Sequence, residues 1–306
     1  MPGNIFLTPQ IIAAAALANL YENTVMLPLV HRDYEPEFAN KVGDTITIRK
    51  PALFAVHDFN ADGRQIVVQD AVEAGIPLTL DKFKDVSFAV TPEQMTLEIK
   101  DFSAQLLNPA MMALAQQIDR DILSLRDDIT QTVGVGAGLA AWNTPEAVVD
   151  AGAVLDKANV PTAERRLVVG AATKAAYLKT PLFQQAQQRG DTEGLREASL
   201  GVRSFGFDPY MSQNVKLPAQ VEGAPTTEVG VGFHRTAFAF VTRPLALPMG
   251  AVNSAIQSYN GVGLRVTYMY DIAHKQDVVS IDCLYGVKTL DAARAVLIHG
   301  PLVPPA

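Results

Sequence analysis

The chain has 306 residues, 48% of them hydrophobic and 19% charged, which is enough apolar material for a core in two subdomains and excludes a disordered chain. The net charge is −7 and no basic patch or stripe is visible, which excludes a free-standing nucleic-acid binder but not a protein that encloses DNA without gripping it. The single cysteine, Cys283, excludes an internal disulfide framework and a Cys-based zinc cluster, and reads as a buried apolar residue in a strand.

Thr8-Pro9 predicts a helix start, and Gln10–Tyr21 follow as an Ala-rich helix that needs cover. Its apolar run, Ile11–Ala18, is too short to span a bilayer and has no Lys or Arg before it, so the expectation is a cytoplasmic protein without a signal peptide. Residues 22–37, with Pro28 and Pro36, read as an extended arm. An arm that packs on its own domain and one that packs on a neighbouring chain look alike in sequence. A monomer is poorly able to cover this much apolar surface, so residues 1–38, with residues 53–84, are expected to lie mainly on neighbouring subunits. Thr45–Arg49 alternate as a strand. Strand-like pieces at Leu53–Val56 and Ile66–Val72 flank Asp58–Gly63, a turn by composition. Asp85–Val90 and Met95–Ile99 resume the strand pattern. A two-stranded ribbon is marginal in water by itself, so this one is expected to lie against another surface.

Asp101–Leu107 reads as a short helix. One long amphipathic helix is then predicted over Asn108–Ile129, with Asn108 as N-cap and Pro109 at the first position. Leu107, Met111, Leu114, Ile118, Ile122, Leu125 and Ile129 share one face, and Gln117, Asp121, Ser124 and Asp128 lie opposite. Asp119, Asp121, Asp127 and Asp128 read as the solvated side. Val133–Leu139 is a flexible loop. A helix from Thr144-Pro145 to about Ala158, a strand at Arg166–Val169 and a helix at Ala171–Leu178 mark a small α/β unit. Leu182–Ser199 reads as a mobile surface segment, and Val202–Ser212 and Thr236–Thr242 as strands. Gly261–Asp271 and Asp277–Val287 alternate as a long hairpin turning at Ala273–Gln276. That hairpin is the expected sheet partner of the strands before the long helix.

Candidate chemistry is sparse. Asp58, Asn60, Asp62 and Gly63 imitate the start of a calcium loop, but position twelve is Gln69 instead of Glu and the flanks read as strands, so a solvated hairpin tip is the better reading. The glycines of VGVGAGL lack a following Lys and Ser/Thr. His31-Arg32-Asp33 copies three letters of a kinase catalytic loop without its companions. The histidines 31, 57, 234, 274 and 299 form no metal spacing. No catalytic, cofactor-binding or metal-binding residue is assigned.

Five blocks carry a resemblance: LTPQIIAAAALANLYENTVMLPLVHRDYEPEF (Leu7–Phe38), VGDTITIRKP (Val42–Pro51), NPAMMALAQQID (Asn108–Asp119), SFGFDPYMSQNV (Ser204–Val215) and YDIAHKQDVVSIDCLYGV (Tyr270–Val287). In this order and across nearly the whole chain, they resemble the major capsid proteins of tailed bacteriophages, in particular the P22 coat protein-like group. The resemblance implies an α+β chain with the HK97-like fold. It implies an N-terminal arm (1–41), an E-loop hairpin (53–84), a peripheral domain with a spine helix (42–52 and 85–135), an axial domain (136–260), the peripheral domain's long hairpin (261–288) and a C-terminal segment (289–306). The inserted domain of the P22 coat protein has no room here, and no Lys/Asn crosslinking pair is assigned. The implied function is a structural coat protein, not an enzyme, that self-assembles as hexameric and pentameric capsomers into an icosahedral shell around double-stranded DNA. Scaffolding protein and portal would be partners, no membrane is involved, and the shell would be assembled in the bacterial host cytoplasm as part of the virion. Ile11, Ile12, Leu17 and Leu20 of the arm and Phe54, Phe59, Ile66, Val68 and Val72 of the hairpin are the candidate contacts between subunits. A mixed α/β enzyme with a dispersed site is the alternative from another class. A calcium-dependent assembly module around Asp58–Gly63 is a second rival.

Overall fold

The structure, a computed structural model, describes residues 25–34, 43–50, 54–57, 68–71, 73–97, 106–136, 138–185, 199–201, 203–248, 253–259 and 262–304. Three sheets organise them. The first is a two-stranded ribbon of β1 (Thr45–Lys50) and β2 (Ala74–Thr79), antiparallel from Thr45 opposite Thr79 to Lys50 opposite Ala74. The expected strands at 53–56 and 66–72 are irregular where they are described, so the paired part of this hairpin lies nearer its base than the sequence suggested.

β3 (Lys82–Val90) opens the second sheet. The next element corrects the sequence reading. Met95–Ile99 was expected as a strand, whereas α1 is a helix over Pro92–Leu97. Thr91 and Gln94 explain it. Thr91 Oγ1 accepts from the Gln94 N–H at 3.3 Å and Gln94 Oε1 accepts from the Thr91 N–H at 3.1 Å, a reciprocal cap that starts a helix.

The long helix, α2 (Asn108–Leu123), is shorter as an α-helix than expected and closes in a 3-10 turn over Ser124–Asp128. The Ser124 hydroxyl donates to the Asp121 carbonyl at 2.8 Å, and the final turns tighten before Ile129 goes extended. Leu107 already has helical φ and ψ, so Asn108 sits inside the helix and does not cap it. The apolar face is as expected: Leu107, Met111, Leu114, Ile118, Ile122 and Ile129 are buried. Burying the first five contributes on the order of 10 kcal/mol as an upper bound.

That face packs on the second sheet, ordered β3-β11-β10-β9. β9 is Asn253–Tyr259, β10 Val262–Asp271 and β11 Gln276–Thr289. The expected pairing across most of the chain is present, with Val90 opposite Asp277 and Lys82 opposite Tyr285. β8 (Phe238–Arg243) pairs with the far end of β11, so the 14-residue β11 serves two neighbours on one side. Alternate residues Val279, Ile281, Cys283 and Tyr285 point into the core with Val266 and Leu264.

The third sheet runs β4-β12-β7-β5-β6, with β4 at Thr132–Val133, β5 at Arg165–Val169, β6 at Asp208–Met211, β7 at Gly230–His234 and β12 at Ala295–Ile298. α3 (Glu146–Lys157) lays Ala147, Val148, Ala151 and Leu155 into this sheet's core. Asn159 ends the chain's run after α3 in the left-handed region, at φ 55°. α4 (Ala171–Leu178) adds Tyr177, and α5 (Pro181–Gln184) seats Phe183. Phe183 anchors the start of the segment expected to be mobile, while residues 186–198 lie outside the described residues.

Two divisions drawn from the sequence change. β8 and β9 fall in the span 136–260 yet belong to the hairpin's sheet, and β12, in the segment 289–306, completes the α/β sheet. The chain returns to each sheet after leaving it, so contiguous boundaries cannot describe either.

Candidate assembly surfaces

Buried ionisable groups come first, because an active site would need them. The Cys283 thiol is buried and pushed up to about 12 by that burial, so it is no nucleophile at neutral pH. Burial also raises Tyr177 and Tyr285 and lowers His31 and His234. Tyr285 donates to Asp121 Oδ2 at 2.8 Å, where Lys82 Nζ stands 3.6 Å away and Gln117 donates to Oδ1 at 2.7 Å. Arg265 forks onto Asp282 across β10 and β11 at 3.0 and 2.5 Å. These groups tie elements together. Among the described residues no cluster of His, Cys, Asp or Glu could hold a metal, and no helix is long and apolar enough to cross a membrane. The Asp58–Gly63 loop lies outside the described residues.

The arm is the main correction. Its residues 25–34 were expected to protrude onto neighbours, but they form a strap over their own core. Met26, Leu27, Leu29 and Val30 are buried among the residues of α2 and the second sheet. Asp119, read as solvated, is 1% exposed and is what pins the strap. Its Oδ1 accepts from the Val25 and Met26 N–H groups at 3.2 and 2.7 Å, and its Oδ2 from Ser212 Oγ and Asn214 Nδ2, each at 3.0 Å. Arg166 then donates to the Pro28 carbonyl, and His31 exchanges backbone bonds with Phe238 and Phe240. Asp33 pairs with Arg235 at 3.4 Å. The arm contacts Ile11, Ile12, Leu17 and Leu20 lie outside the described residues.

The ribbon divides into a covered base and a bare distal part. Ile46 and Leu78 are buried against Ala239 and Val241. The β2 backbone passes so close to β11 that a Cβ at Gly286 would collide with the Thr79 carbonyl, so only glycine admits the crossing. Further out, Phe54 is 63%, Val68 80% and Val56 98% exposed. Of the predicted hairpin contacts these are Phe54 and Val68; Phe59, Ile66 and Val72 lie outside the described residues. The signal for Val56 was present in the same alternation.

A second bare feature is the tip of the β10–β11 hairpin. Among the described residues β9 reaches Tyr268 and β3 reaches Asp277, and residues 269–276 pair within the hairpin. Met269, Tyr270 and Ile272 are exposed there. Asp271 shapes the turn, accepting from the Ala273 N–H at 2.9 Å and facing His274 Nδ1 at 2.6 Å. The His274 contact holds the Asp271 carboxyl below the usual range.

No protein-family model and no curated protein sequence matches the chain. Solved structures do. A chain from Mycobacterium phage Che8 is 24% identical and superposes with a TM-score of 0.70, over 90% of each chain. The capsid of the cyanophage P-SCSP1u is 11% identical at a TM-score of 0.65, over 99% of this chain and 92% of that one. The holo-SrpI encapsulin complex of Synechococcus elongatus PCC 7942 is 12% identical at 0.53, over 92% and 88%. The helix under a long non-local hairpin and the α/β sheet closed by the C-terminal strand thus belong to a chain that superposes on capsids and capsid-like shells along most of its length: this chain has the HK97-like capsid fold.

Proposed function

We propose that the chain is the structural coat protein of a tailed-phage capsid, built to assemble with copies of itself. The observation that carries this is the likeness over nine-tenths of both chains to a phage chain at a TM-score of 0.70. The bare distal ribbon supports it, because a soluble monomer rarely leaves such apolar residues uncovered. In this reading α2 and the second sheet are the peripheral domain with its spine helix, and the α3–α4 sheet is the axial domain. The ribbon is the E-loop, lying with residues 1–24 on neighbouring subunits. Hexameric and pentameric capsomers close an icosahedral shell around double-stranded DNA in the bacterial host cytoplasm, with a scaffolding protein and a portal as partners. Its role is structural, not catalytic, since many small repeated contacts add up to a stable shell.

Expression of the chain followed by negative-stain microscopy and nuclease treatment tests this. Closed shells or capsomer rings are expected, with nuclease-protected DNA in particles recovered from a phage infection. A monomer with no assembly at any concentration would refute the proposal. Infection-derived shells without nuclease-protected DNA would refute the genome-enclosing part of the proposal.

A further inference from the structure

The described residues of the distal ribbon, 54–57 and 68–71, form no backbone ladder, yet one side chain spans them. Ala55 donates its N–H to Gln69 Oε1 at 2.8 Å, and Gln69 Nε2 donates to the Ala55 carbonyl at 2.5 Å. One amide thus takes both backbone groups of one residue, as a strand partner would. Its place is not arbitrary. The β1–β2 pairing steps from Thr45 opposite Thr79 to Lys50 opposite Ala74, and five further steps bring Ala55 opposite Gln69. The clasp therefore agrees with the register of the base.

Register decides which side chains share a face. Counted from the base, Phe54 and Val56 fall on the face of Ile46 and Ile48, with Val68 across from Val56. Near the base Ile46 is buried on Ala239 and Val241, whereas Phe54, Val56 and Val68 are bare. A slip of one residue would send Val68 to the opposite side from Phe54 and Val56.

We propose that Gln69 is a positioning residue for assembly: its clasp on Ala55 fixes the register that presents Phe54, Val56 and Val68 together to a second copy of this chain. This rests on the shell reading above, and it adds the residue on which the contact depends. Glutamine suits the task because it both accepts and donates, which neither glutamate nor alanine can do here.

The test compares wild type, Gln69→Ala and Gln69→Glu as full-length chains. Hydrogen exchange at the Ala55 amide should rise about three- to ten-fold in Gln69→Ala, the loss expected for one exposed clasp. Gln69→Glu keeps the acceptor for that amide and should fall between the two. The concentration needed for assembly, followed by light scattering, should rise at least about three-fold in Gln69→Ala, because the defect recurs in every subunit. The melting transition of the unassembled subunit should not move, since the clasp touches no core residue. Unchanged exchange at Ala55 would overturn the clasp, and unchanged assembly despite faster exchange would overturn its role. A lowered subunit melting temperature would make Gln69 merely structural. If wild type itself does not assemble, the shell reading fails, and the exchange comparison still decides whether the clasp exists.

Discussion

Removing the Asp119 carboxylate should be among the most damaging small changes in the protein. Asp119→Ala leaves four donors without their acceptor. Two of those bonds, from the Met26 N–H and Ser212 Oγ, are buried, and two, from the Val25 N–H and Asn214 Nδ2, are partly buried. A buried donor left unpaired costs about 1–3 kcal/mol, and the part-buried pair can recover some of its loss from water. The expected total is about 3–5 kcal/mol, against about 5–15 kcal/mol of stability for a typical domain. Asp119→Asn should cost only about 1–2 kcal/mol. Its remaining oxygen can still serve the two strap N–H groups, while the Ser212 hydroxyl and the Asn214 amide can turn to accept. The assay is urea unfolding of the unassembled subunit, read as a lower midpoint at unchanged slope. If Asp119→Ala costs less than about 1 kcal/mol, or Asn costs as much as Ala, the strap is not held in this way.

Further expectations follow from the same packing. Ile118→Asp puts an unpaired charge into the core under α2 and should cost several kcal/mol, whereas Ser124→Ala, which gives up one exposed bond, should stay within about 0.5 kcal/mol; equal losses in a denaturant melt would overturn the face assignment. Cys283 should resist thiol reagents at pH 8 in the native protein and react only as fast as the chain unfolds. Its folded thiol titrates near 12 against 9.0 for the ordinary group, so its share of stability is intact below pH 9 and is lost as the pH rises toward 12; rapid native labelling would contradict the burial. Deleting residues 1–24 should leave the circular dichroism and a cooperative melt intact while preventing closed shells in micrographs. Deleting residues 1–30 takes Met26, Leu27, Leu29 and Val30 from the core and should leave the chain unfolded or nearly so; a shorter deletion that still closes normal shells would remove the arm from assembly.

Periodic elements with one covered face were legible in the sequence. The β10–β11 hairpin, its pairing with β3 and the stripe of α2 all follow from apolar spacing. Elements covered on both sides were not. β7, Gly-Val-Gly-Phe-His, is buried at every position and carries no alternate polar residues to mark a solvent face. α1 had a signal that was overlooked, since Thr91 and Gln94 stand at the spacing of a capping box. Asp119 had none. It sits one residue beyond Ile118, and nothing local distinguishes it from the solvated Asp127 and Asp128; its partners lie 93 to 95 positions away along the chain.

Set beside the ribbon, the strap shows why the arm was misplaced. Met26, Leu27, Leu29 and Val30 on one hand, and Phe54, Val56 and Val68 on the other, are equally apolar stretches outside regular strands. Composition cannot say whether such a stretch is covered by its own chain or by another. What decides it is whether the chain can supply backbone partners at the point of contact, because buried N–H and C=O groups must be paired. The strap finds them in Asp119, Arg166, Phe238 and Phe240, and so it folds onto its own subunit. Among the described residues of the distal ribbon, Ala55 finds its backbone partner in Gln69, from within the ribbon, and Phe54, Val56 and Val68 stay bare. In the shell proposed above, a bare apolar surface of this kind is what the chain offers to a second copy.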